Sequence, residues 1–277
     1  MKTKCVRIVS PDETRRLRAG IDKRRLIRLR FVYRDKNSSM RTAQTPLPVN
    51  AKARLCAQAS REPSAMQGLV KLDSPTVQRI GVMVFIQLVV NFKWTKYWYK
   101  GDISTEFLQG KDRDVETRGR LFLEPPSRPL ATVPPGALLE VIKSVYGLPD
   151  APRAWWEELT KFLTDVLGFQ HCKMDIAFLV WYYDSGDVGI MIILHVDDVQ
   201  VAYDGNKATE KIVQTLYQKY PFGEWVKVHE QKSGVHYTGR LVKVIDEEQV
   251  IISQEDFIDG RMESLPCLLY TSDAADE

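Results

Sequence analysis

The chain has 277 residues, 44% of them apolar and 27% charged, the balance of a globular protein rather than of a disordered chain or a coiled-coil rod. Its length suits one large domain or two modest ones, and no stretch reaches the ~18 uncharged apolar residues of a membrane span; the best candidate, Gly81 to Val90, is short and Lys93 follows it. The N-terminus lacks the apolar core of a signal peptide, which argues against secretion, and the four cysteines (Cys5, Cys56, Cys172, Cys267) lie too far apart for zinc spacing, so a reducing compartment is expected.

The net charge of +3 hides a polarity: residues 1–61 carry a net +13 and the remainder a net −10. Such a basic stretch is either a solvated tail or a surface that faces a polyanion. Residues 1–25, with Arg15-Arg16 and Lys23-Arg24-Arg25, are expected to be loosely ordered, or helical where docked. From Leu26 to Tyr33 apolar and basic residues alternate, the period of a half-buried strand. Asp35 to Ser39 reads as a turn, Arg41 to Val49 as a loop, and Ala51 to Ala57 as a second strand pairing with the first.

Ser74-Pro75 predicts the start of a helix, with Ser74 as N-cap and Val77, Ile80, Val84 and Leu88 at helical spacing. Trp98 to Asp102 leads into a strand, and Pro125-Pro126 and Pro134-Pro135-Gly136 punctuate a connection. A second helix starts at Pro152, places Trp155, Leu159, Phe162, Leu163 and Val166 on one face, and ends at Gly168. Strands are expected at Asp175–Tyr183 and over Gly189–Tyr203, the latter as two strands joined at Asp197-Asp198. A third helix runs from about Lys207 to Tyr220, and strands follow at Val235–Val244 and Val250–Ser253. Helices intermixed with antiparallel strand pairs predict an α+β sheet with helices on one face.

The chemistry-bearing residues are acidic. Ile190 to Val196 is a nearly continuous apolar strand that runs into Asp197 and Asp198, after which a second apolar strand leaves. Aspartates are common in turns, and an ordinary hairpin explains the pair. The other explanation is a cation, which lets two adjacent carboxylates ionise together; Mg²⁺ takes oxygen ligands of this kind together with substrate phosphates. Asp102 on the earlier strand, in Lys100-Gly101-Asp102-Ile103, is either a strand-end cap or a third ligand. One aspartate on one strand and two on a neighbouring hairpin can hold two Mg²⁺, the arrangement that activates an attacking hydroxyl and stabilises the leaving group.

These residues carry a resemblance. The chain resembles the reverse transcriptase domain of copia-type LTR retrotransposons, whose D-V-x-x-A-F-L-x-G motif is matched by DISTEFLQG at Asp102–Gly110. The family's K-S-L-Y-G-L-x-Q-A-P-R-A-W block is matched by KSVYGLPDAPRAW at Lys143–Trp155, and its Y-V-D-D box by HVDD at His195–Asp198. Lys52–Leu55 and Ser74–Thr76 match shorter family pieces, and Tyr237–Gly239 and Ile252–Phe257 match weakly. The resemblance covers residues 26–257 and rests most on the Lys143–Trp155 block.

The resemblance implies a palm-and-fingers polymerase fold with an antiparallel palm sheet and helices packed on one face. Residues 1–25 would be a basic N-terminal segment, 26–257 fingers and palm, and 258–266 the start of a truncated thumb. The last eleven residues, CLLYTSDAADE at 267–277, resemble a translated sequencing adapter and are set aside. The implied activity is RNA-directed DNA polymerisation by two-metal transfer of a nucleotide to a primer 3′-hydroxyl. Asp102, Asp197 and Asp198, with the Ile103 carbonyl, would hold two Mg²⁺ ions, for which Mn²⁺ can substitute. Lys52 and Arg54 would meet the incoming deoxynucleoside triphosphate, Phe107 would exclude a ribose 2′-hydroxyl, and Asp150 and Arg153 would contact nucleotide or template. Trp155, by its spacing, is core.

The implied partners are an RNA or DNA template with primer and, in the parent polyprotein, integrase and ribonuclease H domains, with no membrane. The implied location is a cytoplasmic virus-like particle or the nucleus. Glu106 stands where the family has alanine, Asp150 where many members have glutamine, and His195 where they have tyrosine. With the shortened thumb, these departures support a second reading, a relic that binds nucleic acid without chemistry. A palm-type nucleotide cyclase is a third reading, disfavoured because Leu194-His195-Val196 replaces the glycines such enzymes carry before the acidic hairpin.

Overall fold

The computed structural model describes residues 4–38, 46–128, 130–255 and 258. The basic N-terminal stretch forms strand β1 (Val6–Ile8) and helix α1 (Pro11–Gly20). Ser10 caps this helix by accepting from the Glu13 N–H, and Pro11 takes the first helical position, where a missing N–H costs nothing. The alternating pattern after residue 25 becomes β2 (Leu26–Asp35), antiparallel to β3 (Ala51–Ala57). The turn after β2 occupies residues 36–38, and most of the loop expected at Arg41–Val49 lies outside the described residues.

Helices α2 (Pro63–Met66) and α3 (Arg79–Asn91) follow, then β4 (Trp98–Ile103) and α4 (Val115–Arg118). Two short strands, β5 (Phe122–Glu124) and β6 (Leu139–Val141), flank the proline-punctuated connection. After α5 (Ala151–Lys161) come β7 (Gln170–His171), β8 (Phe178–Tyr182), β9 (Val188–His195) and β10 (Asp198–Tyr203). Helix α6 (Lys207–Lys219), β11 (Phe222–Lys227), β12 (Val235–Tyr237), β13 (Arg240–Val244) and β14 (Val250–Ser253) complete the order. Nearly all of the expected thumb start, and the whole segment 267–277, lie outside the described residues.

Among the described residues the strands form three sheets. The first has the order β1-β6-β5-β2-β3, so the N-terminal strand completes its edge instead of forming a separate appendage. The central sheet has the order β11-β4-β10-β9-β8-β7 and is antiparallel throughout. The third is the β12-β13-β14 meander. No helix among the described residues is long and apolar enough to cross a membrane.

Helices cover both faces of the central sheet, not one as expected. Cross-strand register puts Trp98, Lys100 and Asp102 on the same face as Asp198, Gln200 and Phe178. Helix α3 packs there, with Phe85 edge-on to Trp98 and Phe178 at 5.9 and 6.0 Å. From the third sheet, Tyr237 reaches His195 on that face. On the opposite face Tyr99 stacks on Trp225, which Tyr217 of α6 covers in turn. The reason lies in β9: Ile190 to Leu194 are all buried, and a strand apolar on both sides needs a layer on each.

Three local expectations are corrected. Ser74 does not cap a helix; its hydroxyl donates to the Pro152 carbonyl. The Val77 N–H goes to Leu194 O and the Gln78 N–H to the Asp175 carboxylate, both at 2.8 Å, so the chain stays extended and α3 begins at Arg79. The face predicted to include Val166 ends early, because α5 widens into a π turn over Phe162–Val166 that leaves Val166 exposed. Val235–Val244 is a hairpin rather than one strand, turned by Thr238 and Gly239, both at positive φ, as a two-residue loop requires.

Candidate functional site

Asp102 is the penultimate residue of β4 and Asp198 begins β10, and the two are direct cross-strand partners. Asp197 occupies the turn between β9 and β10, and its carbonyl accepts from the Ile103 N–H at 2.9 Å. The two acidic segments far apart in sequence therefore share one end of the central sheet. Gly101 lets β11 close over this end, since a Cβ there would fall 2.7 Å from the Phe222 and Trp225 rings. The turn itself is strained. Val196 has φ +60°, a region that costs a β-branched residue of order 1–3 kcal/mol.

The electrostatics are those of an anionic cluster short of positive charge. Burial pushes the Asp102 carboxyl above its ordinary range and the charge of Asp197 adds to the shift, with Lys100 and Lys52 opposing it. Burial also raises the Asp198 carboxyl, with Asp197 and Asp102 adding to this and Lys100 opposing it. Lys100 lies two residues before Asp102 on the same face; its ammonium is 3.5 Å from Asp198 and also pairs with Glu224. Burial would lower that ammonium, yet Glu224 and Asp198 hold it above its usual range. The acidic donors are all oxygen, the set a hard divalent cation takes, so the residue types and their mutual repulsion fit such an ion. Among the described residues, however, no three His, Cys, Asp or Glu side chains stand in an array that could hold a metal.

A cleft of about 950 Å³ lies between this end of the central sheet and the first sheet. Lys52 and Arg54 of β3 line it on one side, Asp102, Ile103 and Asp197 on the other. Its floor includes Glu106 and Tyr146. The Tyr146 hydroxyl donates to Glu106 at 3.3 Å, and the Arg54 guanidinium lies 5.7 Å from the Tyr146 ring centre. Burial raises the Glu106 carboxyl and the charge of Asp197 adds to it, while the bond from Tyr146 and the charge of Arg54 act the other way. Burial, with the negative charge of Glu106, likewise pushes the Tyr146 phenol up. Phe107 meets the Tyr146 ring edge-on at 5.2 Å. Tyr146 is fixed through the neighbouring glycine: the Ala57 N–H donates to Tyr146 O, and a Cβ on Gly147 (φ +91°) would fall 2.1 Å from Ala57 O.

Asp150 and Arg153 are not brought to this cleft. They line a second cavity of about 270 Å³ beside α4 and α5. There Asp150 is buried against Arg118 at 2.7 Å, and Arg153 pairs with Glu157. Trp155 is fully buried, as its spacing predicts, but its indole N–H also donates to Val196 O at 2.8 Å. Sequence reasoning missed Lys100, Tyr146 and Glu224. Lys100 could have been found from the two-residue period that puts it on the face of Asp102. Glu224 had no such signal, because β11 was not expected after Pro221.

Comparison with known proteins adds a family. The model of the family described as reverse transcriptase (RNA-dependent DNA polymerase) matches residues 13–260. A retrovirus-related Pol polyprotein from transposon RE2 of Arabidopsis thaliana is 25% identical over 178 residues, 64% of this chain and 12% of the relative. A second Pol polyprotein, from transposon RE1 of the same plant, is 24% identical over 186 residues, 67% of this chain and again 12% of the relative. The matched stretch is thus a small fraction of the length of the curated relatives.

Proposed function

We propose, because the chain belongs to the reverse transcriptase (RNA-dependent DNA polymerase) family, that it is the fingers-and-palm part of a copia-type retrotransposon polymerase. The central sheet is the palm and the first sheet belongs to the fingers. The observation that carries the reading is the cleft with Lys52 and Arg54 on one wall and Asp102 and Asp197 on the other. Triphosphate and catalytic carboxylates meet in this way in nucleotidyl transfer. Asp102, Asp197 and Asp198, with the Ile103 carbonyl, would have to draw together from their present positions to hold two Mg²⁺, or Mn²⁺ in their place. When bound, these ions neutralise developing charge and lower the pKa of the attacking hydroxyl.

The chain's own residues bind and orient. Lys52 and Arg54 draw in the phosphates of a deoxynucleoside triphosphate, Phe107 braces against Tyr146 beside the sugar, and the carboxylates fix the reacting end of the primer. Catalysis then comes from positioning and charge stabilisation. The template is RNA or DNA, and the remaining Pol domains lie elsewhere in the polyprotein, which acts in a cytoplasmic particle or the nucleus.

Primer extension tests this. The full chain, given poly(rA)/oligo(dT), dTTP and Mg²⁺ or Mn²⁺, adds dTMP. Asp197→Asn lowers the rate by about a thousandfold or more, since several kcal/mol of transition-state stabilisation are lost. One observation favours the relic reading: Glu106 sits inside the cleft, where its charge opposes a triphosphate. No incorporation, with salt-dependent duplex binding, would select that reading.

A further inference from the structure

The turn that carries Asp197 is built against its own preference. His195 and Asp198 pair across it, so Val196 and Asp197 are its two central residues. Val196 alone of the two has positive φ. This is the turn type that takes glycine at its first central position, and a β-branched residue there tends to relax toward negative φ. Relaxation would swing the following peptide and, with it, both aspartates.

Contacts from outside the hairpin hold the strained form. The Asp197 carbonyl is held by the Ile103 N–H of β4 at 2.9 Å. The Val196 carbonyl is held by the Trp155 indole N–H at 2.8 Å. The indole cannot easily move, because it is fully buried on α5 and lies edge-on to Tyr220 at 5.3 Å. We infer that Trp155 is a positioning residue: its N–H fixes the Val196 peptide and so the direction of Asp197, which lines the cleft, and of Asp198 beside it. The inference rests on the polymerase reading for its functional consequence, and on the turn geometry alone for its structural one.

Trp155→Phe keeps an aromatic ring and removes the N–H. In primer extension it lowers kcat about tenfold, the loss expected of one buried hydrogen bond, while KM for dTTP stays within about twofold because Lys52 and Arg54 are untouched. A residue that only filled the core would not divide the two constants in this way. Amide hydrogen exchange of residues 194–200 becomes faster in the same variant. Val196→Gly removes the conflict at φ +60°, so Trp155→Phe costs less in its presence than alone. Unchanged kcat together with unchanged exchange in Trp155→Phe overturns the inference, as does full additivity with Val196→Gly. If the wild-type chain adds no nucleotide, the polymerase reading falls and exchange decides the clamp by itself: faster exchange in Trp155→Phe supports it, and equal exchange overturns it.

Discussion

In the central sheet, Ile190 to Leu194 lie between two layers of apolar side chains, with Phe85, Trp98 and Phe178 on one side and the α6 layer on the other. The first sheet has a smaller apolar cluster around Ile27, Leu29, Leu123 and Leu139. Charged groups take over part of its structural role. Arg113 and Glu62 are paired at 2.7 Å with both side chains almost fully buried. Glu140 sits between Arg7 and Arg120, and Asp150 against Arg118. Burial would raise the Glu62 carboxyl, but hydrogen bonds from Arg113, the Ala65 N–H and Ser64 hold it below its ordinary range. The comparison teaches a division of labour. Carboxylates that stay close together despite repulsion are mounted on the better-packed sheet, and the cations of the opposite cleft wall, Lys52 and Arg54, are mounted on a more polar sheet held in part by ion pairs.

The largest test of this contrast is Arg113→Ala, which strands Glu62 in the interior. Breaking a buried pair in this way costs about 3–5 kcal/mol, read as a fall in unfolding free energy in denaturant titration. A cost below about 1 kcal/mol would mean that the polar sheet does not depend on its pairs.

Next comes a matched comparison of cores. Ile192→Ala empties a fully buried site in β9 and costs about 2–5 kcal/mol, while Leu29→Ala in the smaller cluster falls at the lower end of that range. Equal losses would erase the difference between the sheets.

A third test concerns the cleft wall. Lys52→Ala with Arg54→Ala weakens binding of dTTP by about tenfold, since two charge contacts go, and leaves the unfolding midpoint nearly unchanged because both residues are exposed on β3. Isothermal titration and thermal melts read the two quantities separately.

The smallest effect is in acid. Hydrogen bonds from Arg120, and less from Arg7, hold the Glu140 carboxyl below its ordinary value of 4.5. A carboxylate depressed in the folded state stabilises the fold above the unfolded value, and that contribution is lost as pH falls through the folded one. The part of the stability that Glu140 supplies therefore declines below pH about 4.5, and Glu140→Gln removes that part of the acid limb. A variant with the same acid limb as the wild type would remove Glu140 from the account.

Much of the site was legible because its signals are local. An apolar run ending in Asp197-Asp198 announces a buried hairpin with charge at its tip, and the two-residue period that makes β2 visible also places Arg28 and Arg30 on one face. The short strands β5 and β6 were not legible, since two or three pairings made with distant partners leave no period in the chain, and neither was β11, whose five pairings with β4 are interrupted by a bulge after Phe222. Asp150 was read as a nucleotide contact by position in a motif, yet its carboxylate is engaged by Arg118, thirty-two residues earlier.

The sequence by itself determined the elements whose side chains repeat within one strand or helix, and the motifs that mark the family. The tertiary structure decided which backbone groups and charges meet across the sheet. It decided that α3 starts at Arg79, because distant acceptors take the Val77 and Gln78 N–H groups. It also decided that the core tryptophan at 155 spends its one polar hydrogen on the aspartate turn. A hydrogen bond depends on where two groups end up in space, and residue order constrains that only through the whole fold.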